Sequence, residues 1–349
     1  MEMNKNLKIN RLKSILKISI SLILLIIIFK GIDVSSTIQM MLNIDKSLLL
    51  VLLSISILKF FTQAINWQFC LNMSDPENKK MSFINIIKTH MIGLALRFFM
   101  PGGYATFGKV FYINQTKKRT TFSIMIEKFY IIWIIWFFAL WMLVLFPSYI
   151  PNFNLVTPLY KENWRGLFLP IAIIVSIAPV VLPFIIKKII LLLHTKMENT
   201  TDDNLPAENK LRRLMIKLYD NLRNINPTYL SKNYFRELPK LLISQILFEL
   251  LTFLQYFILL QHFMNISLSF FKVSFNISLT LIANTIPITF SGLGLREKFS
   301  ALLLPQIGIP IETAVGASLI IFFLNAVIPA LPGLIFIINY NKKPSKNKE

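Results

Sequence analysis

A broken polar stretch near the C-terminal end constrains the fold of this chain more than any other feature. The stretch, residues 284–298, is flanked by apolar sequence and contains a proline, two glycines and three consecutive charges: Pro287, Gly292, Gly294, Arg296, Glu297 and Lys298. A lipid-facing helix cannot carry these groups, because hydrocarbon offers charges and unpaired backbone groups no partner. The stretch is predicted to line a wet cavity or to be buried in protein, as broken segments are at transporter sites. The alternative is an ordinary extramembrane loop between two spanning helices.

Composition places the chain among polytopic membrane proteins. The 349 residues are 54% hydrophobic and only 15% charged, with a mean hydropathy of +0.59. A net charge of +20 would suggest nucleic-acid binding in a soluble protein. Here the Lys and Arg residues cluster between apolar runs, which is typical of cytoplasmic loops facing anionic lipid. We expect membrane phospholipids as partners, with anionic lipid at the cytoplasmic surface, and no nucleic acid.

Metal and enzyme signals are missing from the sequence. Cys70 is the only cysteine, which excludes an intrachain disulfide and a multi-cysteine metal site. The three histidines, at positions 90, 194 and 262, have no metal-ligand spacing. Nucleotide-binding, metalloprotease and serine-hydrolase motifs are all absent from the sequence. We therefore expect no cofactor, no metal and no enzymatic activity.

The distribution of basic residues predicts a topology with both termini in the cytoplasm. Lys and Arg are concentrated at 5–17, 187–240 and 342–348, and such residues favour the cytoplasmic side. The fold expected is an all-α, multi-pass protein of the cytoplasmic membrane with about six full spans. Those spans are predicted at residues 18–29, 48–67, 122–146, 166–186, 241–263 and 314–338.

Two further apolar segments do not fit as full spans. If residues 82–98 crossed the membrane, the basic triplet at 117–119 would face outward. Residues 272–310 must likewise enter from the outside and return there. Two oppositely directed re-entrant hairpins solve both problems, and the Pro101-Gly102-Gly103 turn suits a sharp reversal. Such hairpins are what an inverted repeat produces, with a site near mid-membrane between their tips.

The one sizeable polar stretch, residues 187–238, is predicted to be a cytoplasmic segment within a single membrane domain, 1–349. Its second half has the pattern of a basic amphipathic helix, with leucines on one face from Leu211 to Leu222. Such a helix either lies on anionic lipid or packs on the membrane domain as a solvated linker.

Charged residues inside the predicted spans are candidates for the functional site. Lys59 lies near the middle of its span with Gln63 one turn away, and Glu249 lies within the fifth span. Charges at such depth are costly unless they are paired or meet a substrate. We predict that both side chains are buried in the bundle and are candidates to pair with each other. Otherwise Lys59 would meet substrate, and Glu249 would be protonated.

Three motifs stand out along the chain: Pro101-Gly102-Gly103…Gly108-Lys109, Ile126-Glu127-Lys128 and Pro287-Ile288…Ser291-Gly292-Leu293-Gly294-Leu295-Arg296-Glu297. Together they resemble the transmembrane region of the lysylphosphatidylglycerol synthetase/flippase-like membrane proteins. The resemblance spans nearly the whole chain, although members usually have an acidic residue in the Pro-Gly loop, where this chain has Thr106 or Phe107. Fused members carry a soluble aminoacyl-transferase domain after the membrane region. This sequence ends at Glu349 without one, so synthetase activity is not expected.

The resemblance implies translocation of a phospholipid or lipid-linked substrate, and the polar residues supply candidates for head-group binding. Arg296 is the first choice, because a guanidinium matches phosphate geometry. Glu297 would orient Arg296 or bind a basic part of the substrate, or the two would only close the hairpin as a structural pair. The full substrate-binding set is Arg296, Glu297, Asn284, Thr289, Gly292, Gly294, Pro287, Arg97, Pro101, Gly102, Gly103, Lys109, Lys59, Glu127 and Glu249.

Two other functions stay open from the sequence. One is an integral-membrane enzyme in lipid-linked glycan or phospholipid biosynthesis that uses Glu127, Glu249 or Glu297 as a base. The other is an accessory subunit that acts with a biosynthetic partner protein or as an oligomer.

Overall fold

The chain is described here from a computed structural model that covers residues 42–74, 81–97, 103–113, 117–149, 159–198, 227–264, 267–286 and 292–341, with positions 35, 38 and 39. Within these residues the secondary structure is entirely helical, as predicted. The α-helices are α1 Lys46–Ser74, α2 Phe83–Leu96, α3 Lys117–Leu145, α4 Leu159–Glu198, α5 Pro227–Met264, α6 Phe270–Ile282, α7 Leu295–Leu303, α8 Ile311–Phe322 and α9 Ile328–Asn341. A 3-10 helix covers Gly103–Tyr112, and a π-helical turn, Phe323–Val327, joins α8 to α9.

In the described part of the chain, five segments are long and apolar enough to cross a membrane. They are Lys46–Ser74, Arg119–Leu145, Arg165–Ile189, Lys232–Met264 and Ile311–Asn339. Each contains one of the predicted spans. The predicted span 122–146 ends one residue beyond its segment, which ends at Leu145. The first predicted span, 18–29, lies outside the described residues.

Several helices run beyond their predicted spans, because a helix satisfies its own backbone on both sides of a membrane boundary. Helix α4 begins at Leu159, before the predicted span at 166–186, and continues beyond that span to Glu198. Residues 187–198 and 227–238 of the polar stretch therefore belong to α4 and α5. The predicted amphipathic helix around 210–223 lies outside the described residues.

Prolines inside α4 explain two contacts between this helix and its neighbours. A proline has no N–H, so the carbonyl four residues before it loses its helical partner. Pro179 frees the carbonyl of Val175, which accepts a hydrogen bond from Trp133 Nε1 at 2.7 Å. Pro183 frees the carbonyl of Pro179, which accepts one from the Tyr234 hydroxyl at 2.7 Å. Helices α3 and α5 thus satisfy the backbone groups that the prolines expose.

Two short helix pairs form hairpins beside the long helices. The first hairpin, residues 83–112, packs α2 against the 3-10 helix; the second, residues 270–303, packs α6 against α7. The tips at 98–102 and 287–291 lie outside the described residues.

The packing relates the two halves of the bundle. A long helix, a hairpin and a second long helix follow one another twice: α1, first hairpin, α3, and then α5, second hairpin, α8–α9. The leading helices α1 and α5 are antiparallel, because Leu52 contacts Gln255 whereas Thr62 contacts Ser244. Helix α9 packs on the first hairpin and α3 on the second. These contacts are those that an inverted repeat predicts; re-entry of the hairpins into a bilayer stays a prediction.

Candidate functional site

A cavity of about 470 Å³ lies between the two hairpins and the long helices. Several helices each contribute one face to its wall. On such a face the lining residues are three, four or seven positions apart in the sequence. Helix α1 contributes Ser56, Lys59 and Gln63, and helix α5 contributes Glu249, Thr252 and Tyr256. The other lining residues are Phe60, Leu94, Arg97, Lys128, Ile131, Ile132, Ile135, Phe248, Leu281, Asn284, Thr285, Ile286, Gly292, Arg296, Ile321, Phe322, Asn325 and Ala326.

Both hairpins reach this cavity near their tips. Arg97, the C-cap residue of α2, lines it from the first hairpin, and Asn284, Gly292 and Arg296 line it from the second. The expectation that the two broken segments meet at one polar cavity agrees with these positions. The candidates Pro101, Gly102, Pro287 and Thr289 lie outside the described residues. Of Gly103, the structure describes only the start of a 3-10 helix.

Two glycines shape the second hairpin where it turns into α7. Gly292 and Gly294 have φ angles of 81° and 85°, which residues with a Cβ adopt only with strain. A Cβ on Gly292 would also lie 2.5 Å from Oδ1 of Asn284. The glycines therefore permit the turn, and Gly292 additionally lets Asn284 approach the backbone.

Arg296 is fixed by a buried network at the start of α7. Its Nε donates to Glu297 Oε1 at 3.0 Å and to Ser318 Oγ at 2.9 Å, and its Nη2 also donates to Glu297. Glu297 is fully buried, and its Oε2 accepts from the backbone N–H of Gly294 at 2.6 Å. Phe322 covers the guanidinium at 4.9 Å from the ring centroid. Glu297 does not line the cavity, so it acts here on the orientation of Arg296 and on the cap of α7.

Lys59 and Glu249 are both buried, as predicted, and both line the cavity. No ion pair joins these two described residues. The Lys59 amino group instead donates to Gln255 Oε1 at 3.0 Å, and the Asn325 amide donates to the same oxygen at 2.8 Å. Glu249 Oε1 is buried and has no hydrogen-bond partner. The predicted pairing of Lys59 with Glu249 is thus replaced by an amide network, while the carboxylate faces the same cavity.

Lys109 and Glu127, predicted to bind substrate, form a separate buried pair. The Lys109 amino group donates to both carboxylate oxygens, at 3.0 and 2.9 Å, and lies 4.2 Å from the Trp67 ring centroid. Neither residue lines the cavity. A Cβ on Gly93 would clash with Lys109 Cε, so this glycine makes room for the lysine. The two charges satisfy each other, and their burial needs no ligand as explanation.

The wall of the cavity is strongly basic. It contains four basic side chains, Lys59, Arg97, Lys128 and Arg296, and one carboxylate, Glu249. In the described part of the chain, no group of three or more His, Cys, Asp or Glu side chains is arranged to hold a metal ion. The arrangement suits the binding of an anion beside apolar groups.

Sequence reasoning missed several residues of the site. Lys128 belongs to the Ile126-Glu127-Lys128 motif but is not in the predicted substrate-binding set, which also lacks Thr252, Tyr256, Ser318 and Asn325. A signal was available for α5, because Glu249, Thr252 and Tyr256 share one helical face. For Ser318 no such signal exists, since its role depends on contact with a residue 22 positions away.

Comparison with known proteins identifies one family. A family model described as "Lysylphosphatidylglycerol synthase TM region" matches residues 14–333. No curated protein matches the chain. The matched range includes both hairpins and every residue of the cavity wall.

Proposed function

Since the chain belongs to the lysylphosphatidylglycerol synthase transmembrane family, we propose that it is a flippase-like protein that moves a phospholipid or lipid-linked substrate across the cytoplasmic membrane. Family membership makes this a multi-pass membrane protein of lipid metabolism or transport. We propose that it translocates its substrate without covalent chemistry.

The observation that carries this proposal is the basic cavity between the hairpin tips. A head group that crosses hydrocarbon must exchange its water for protein partners, because a bare charge is too costly there. Arg97, Lys128 and Arg296 offer such partners to phosphate, while Ile131 and Ile135 offer apolar surface to the lipid chains. Two broken segments that enter the membrane from opposite sides, with the cavity between them, would also support alternating access.

The proposed mechanism uses the hairpins as the moving parts. Each is held by the long helix of the other half, since α9 packs on the first hairpin and α3 on the second. A shift of one half against the other would open the cavity to one leaflet and close it to the other. The head group would stay among the basic side chains while the lipid tails remain in hydrocarbon.

Filling the cavity should stop transport. Thr252 is buried in its wall, and a Trp there would occupy the space that a head group needs. We expect purified wild-type protein in liposomes to translocate head-group-labelled phospholipid, and Thr252→Trp to lose at least about nine-tenths of that rate. Leu247→Trp on the exposed face of the same helix is the matched control and should transport like the wild type. Equal translocation rates in liposomes with the wild-type protein and in protein-free liposomes would contradict the proposal.

We also propose that both termini face the cytoplasm. The support is the concentration of Lys and Arg at 5–17 and 342–348. A single cysteine placed at position 346 on a Cys70→Ala background should resist a membrane-impermeant thiol reagent in intact cells. Labelling before cell lysis would show the opposite orientation.

A further inference from the structure

The four basic residues of the cavity wall differ in their hydrogen-bond and ion-pair partners. Arg296 is held by Glu297 and Ser318, and Lys59 donates to Gln255. Across the described ranges, neither Arg97 nor Lys128 has a carboxylate within ion-pair distance. Nε of Arg97 is buried and has no hydrogen-bond partner among the described residues.

The nearest acid in sequence, Glu127, attracts both residues electrostatically but is shared with Lys109. Glu127 directly precedes Lys128, but both of its oxygens accept from Lys109, at 3.0 and 2.9 Å. Lys109 and Glu127 therefore cancel each other's charge away from the cavity.

Among the described residues around the cavity, two positive charges have no carboxylate that offsets them. Glu297 offsets Arg296 through their ion pair. Glu249, the carboxylate of the wall, offsets Lys59, which faces the same space. The remaining charges are those of Arg97 and Lys128, which reach the cavity from α2 and α3. Two uncompensated charges within a membrane bundle are costly unless a ligand balances them.

Resting on the proposed function, we propose that the cavity selects a head group ending in a doubly charged phosphate, a phosphomonoester or diphosphate, which Arg97 and Lys128 bind. A phosphomonoester has a second pKa of about 6 and is mostly a dianion at neutral pH. A phosphodiester head group carries one negative charge and would leave one cation unbalanced. An aminoacylated, cationic head group would add positive charge to a basic site.

The same phosphate chemistry occurs in lipids and in soluble anions. The apolar wall residues Ile131, Ile132 and Ile135 lie beside Lys128 on α3, one helical turn and two turns further along. They suit an acyl or prenyl chain and not a free anion, which supports a lipid source for the phosphate.

Binding measurements on the purified full-length protein in detergent test this selection directly. The probes are short-chain phosphatidic acid, short-chain phosphatidylglycerol, lysylated phosphatidylglycerol and inorganic phosphate, titrated calorimetrically at pH 7. We expect phosphatidic acid to bind at least about tenfold more tightly than each of the other three. Equal or tighter binding of phosphatidylglycerol or its lysylated form would overturn the inference. Equal binding of inorganic phosphate would overturn the lipid source.

Variants then test the two residues. Arg97→Gln and Lys128→Gln should each weaken phosphatidic acid binding by at least about tenfold. Arg236→Gln and Lys188→Gln, which change exposed residues, are the matched controls and should bind like the wild type. Thermal denaturation of each variant excludes misfolding, and Arg97→Lys should recover part of the affinity. Unchanged binding in both cavity variants would contradict the assignment.

The outcome is separable from that of the proposed function. Selective binding of phosphatidic acid without transport in liposomes would uphold the inference and reject the flippase proposal. Transport of a cationic lipid with no preference for phosphatidic acid would do the reverse.

Discussion

Arg296→Ala is expected to abolish head-group transport and to destabilise the protein. The substitution removes the partner of Glu297, which is fully buried, and removes the link to Ser318. An unpaired buried carboxylate costs on the order of 3–5 kcal/mol. It would also place uncompensated negative charge behind the wall of a site proposed to bind phosphate. The midpoint of thermal denaturation and the transport rate in liposomes should therefore both fall.

A double variant separates the two effects. Arg296→Met with Glu297→Gln removes both charges, and the Gln carbonyl can still accept from the N–H of Gly294. We expect it to regain most of the lost stability while its transport stays about tenfold below that of the wild type, because one phosphate-binding cation is missing. Arg296→Lys should keep part of the transport, since the charge survives but the planar fork does not. A double variant with full stability and full transport would show that the pair only closes the hairpin.

Lys109→Met should be among the most destabilising single changes and should act on folding. The Glu127 carboxylate stays buried but loses both hydrogen bonds from Lys109. This loss lowers the free energy of unfolding by about 3–5 kcal/mol. The lysine also fills the space beside Gly93 and lies over the Trp67 ring, so packing is lost as well. Thermal denaturation in detergent and the yield of monodisperse protein measure this loss.

The matched control for Lys109→Met is the double variant with Glu127→Gln. With both charges removed, no bare carboxylate remains, and stability should return to near the wild-type value. Neither residue lines the cavity, so the rescued protein should also transport lipid at close to the wild-type rate. A stable double variant without transport would show that Lys109 or Glu127 takes part in substrate binding.

The sequence predicts the class of the fold and the burial of its charges well, because both follow from the cost of polar groups in hydrocarbon. Lys59 and Glu249 lie inside long apolar runs and are buried for that reason. The breaks around Gly292 and Gly294 likewise show where a helix must end, and both glycines have positive φ angles.

The partners of these charges could not be predicted, because they depend on packing between distant segments. Lys59 bonds to Gln255, 196 residues away, and not to Glu249. Lys109 and Glu127 have the same sequence features as a binding-site pair, yet they neutralise each other outside the cavity. A buried charge in a sequence therefore predicts a partner, and only the fold decides whether that partner is protein or ligand.

Modification of a single cysteine in the cavity tests the central claim most directly. Thr252→Cys on a Cys70→Ala background places a thiol in the wall, and Leu247→Cys places one on the exposed face of the same helix. We expect that a charged methanethiosulfonate reagent stops transport by Thr252→Cys, that phosphatidic acid slows this modification, and that modified Leu247→Cys remains active. Unchanged transport after complete modification of Thr252→Cys would contradict the claim that the head group passes through this cavity.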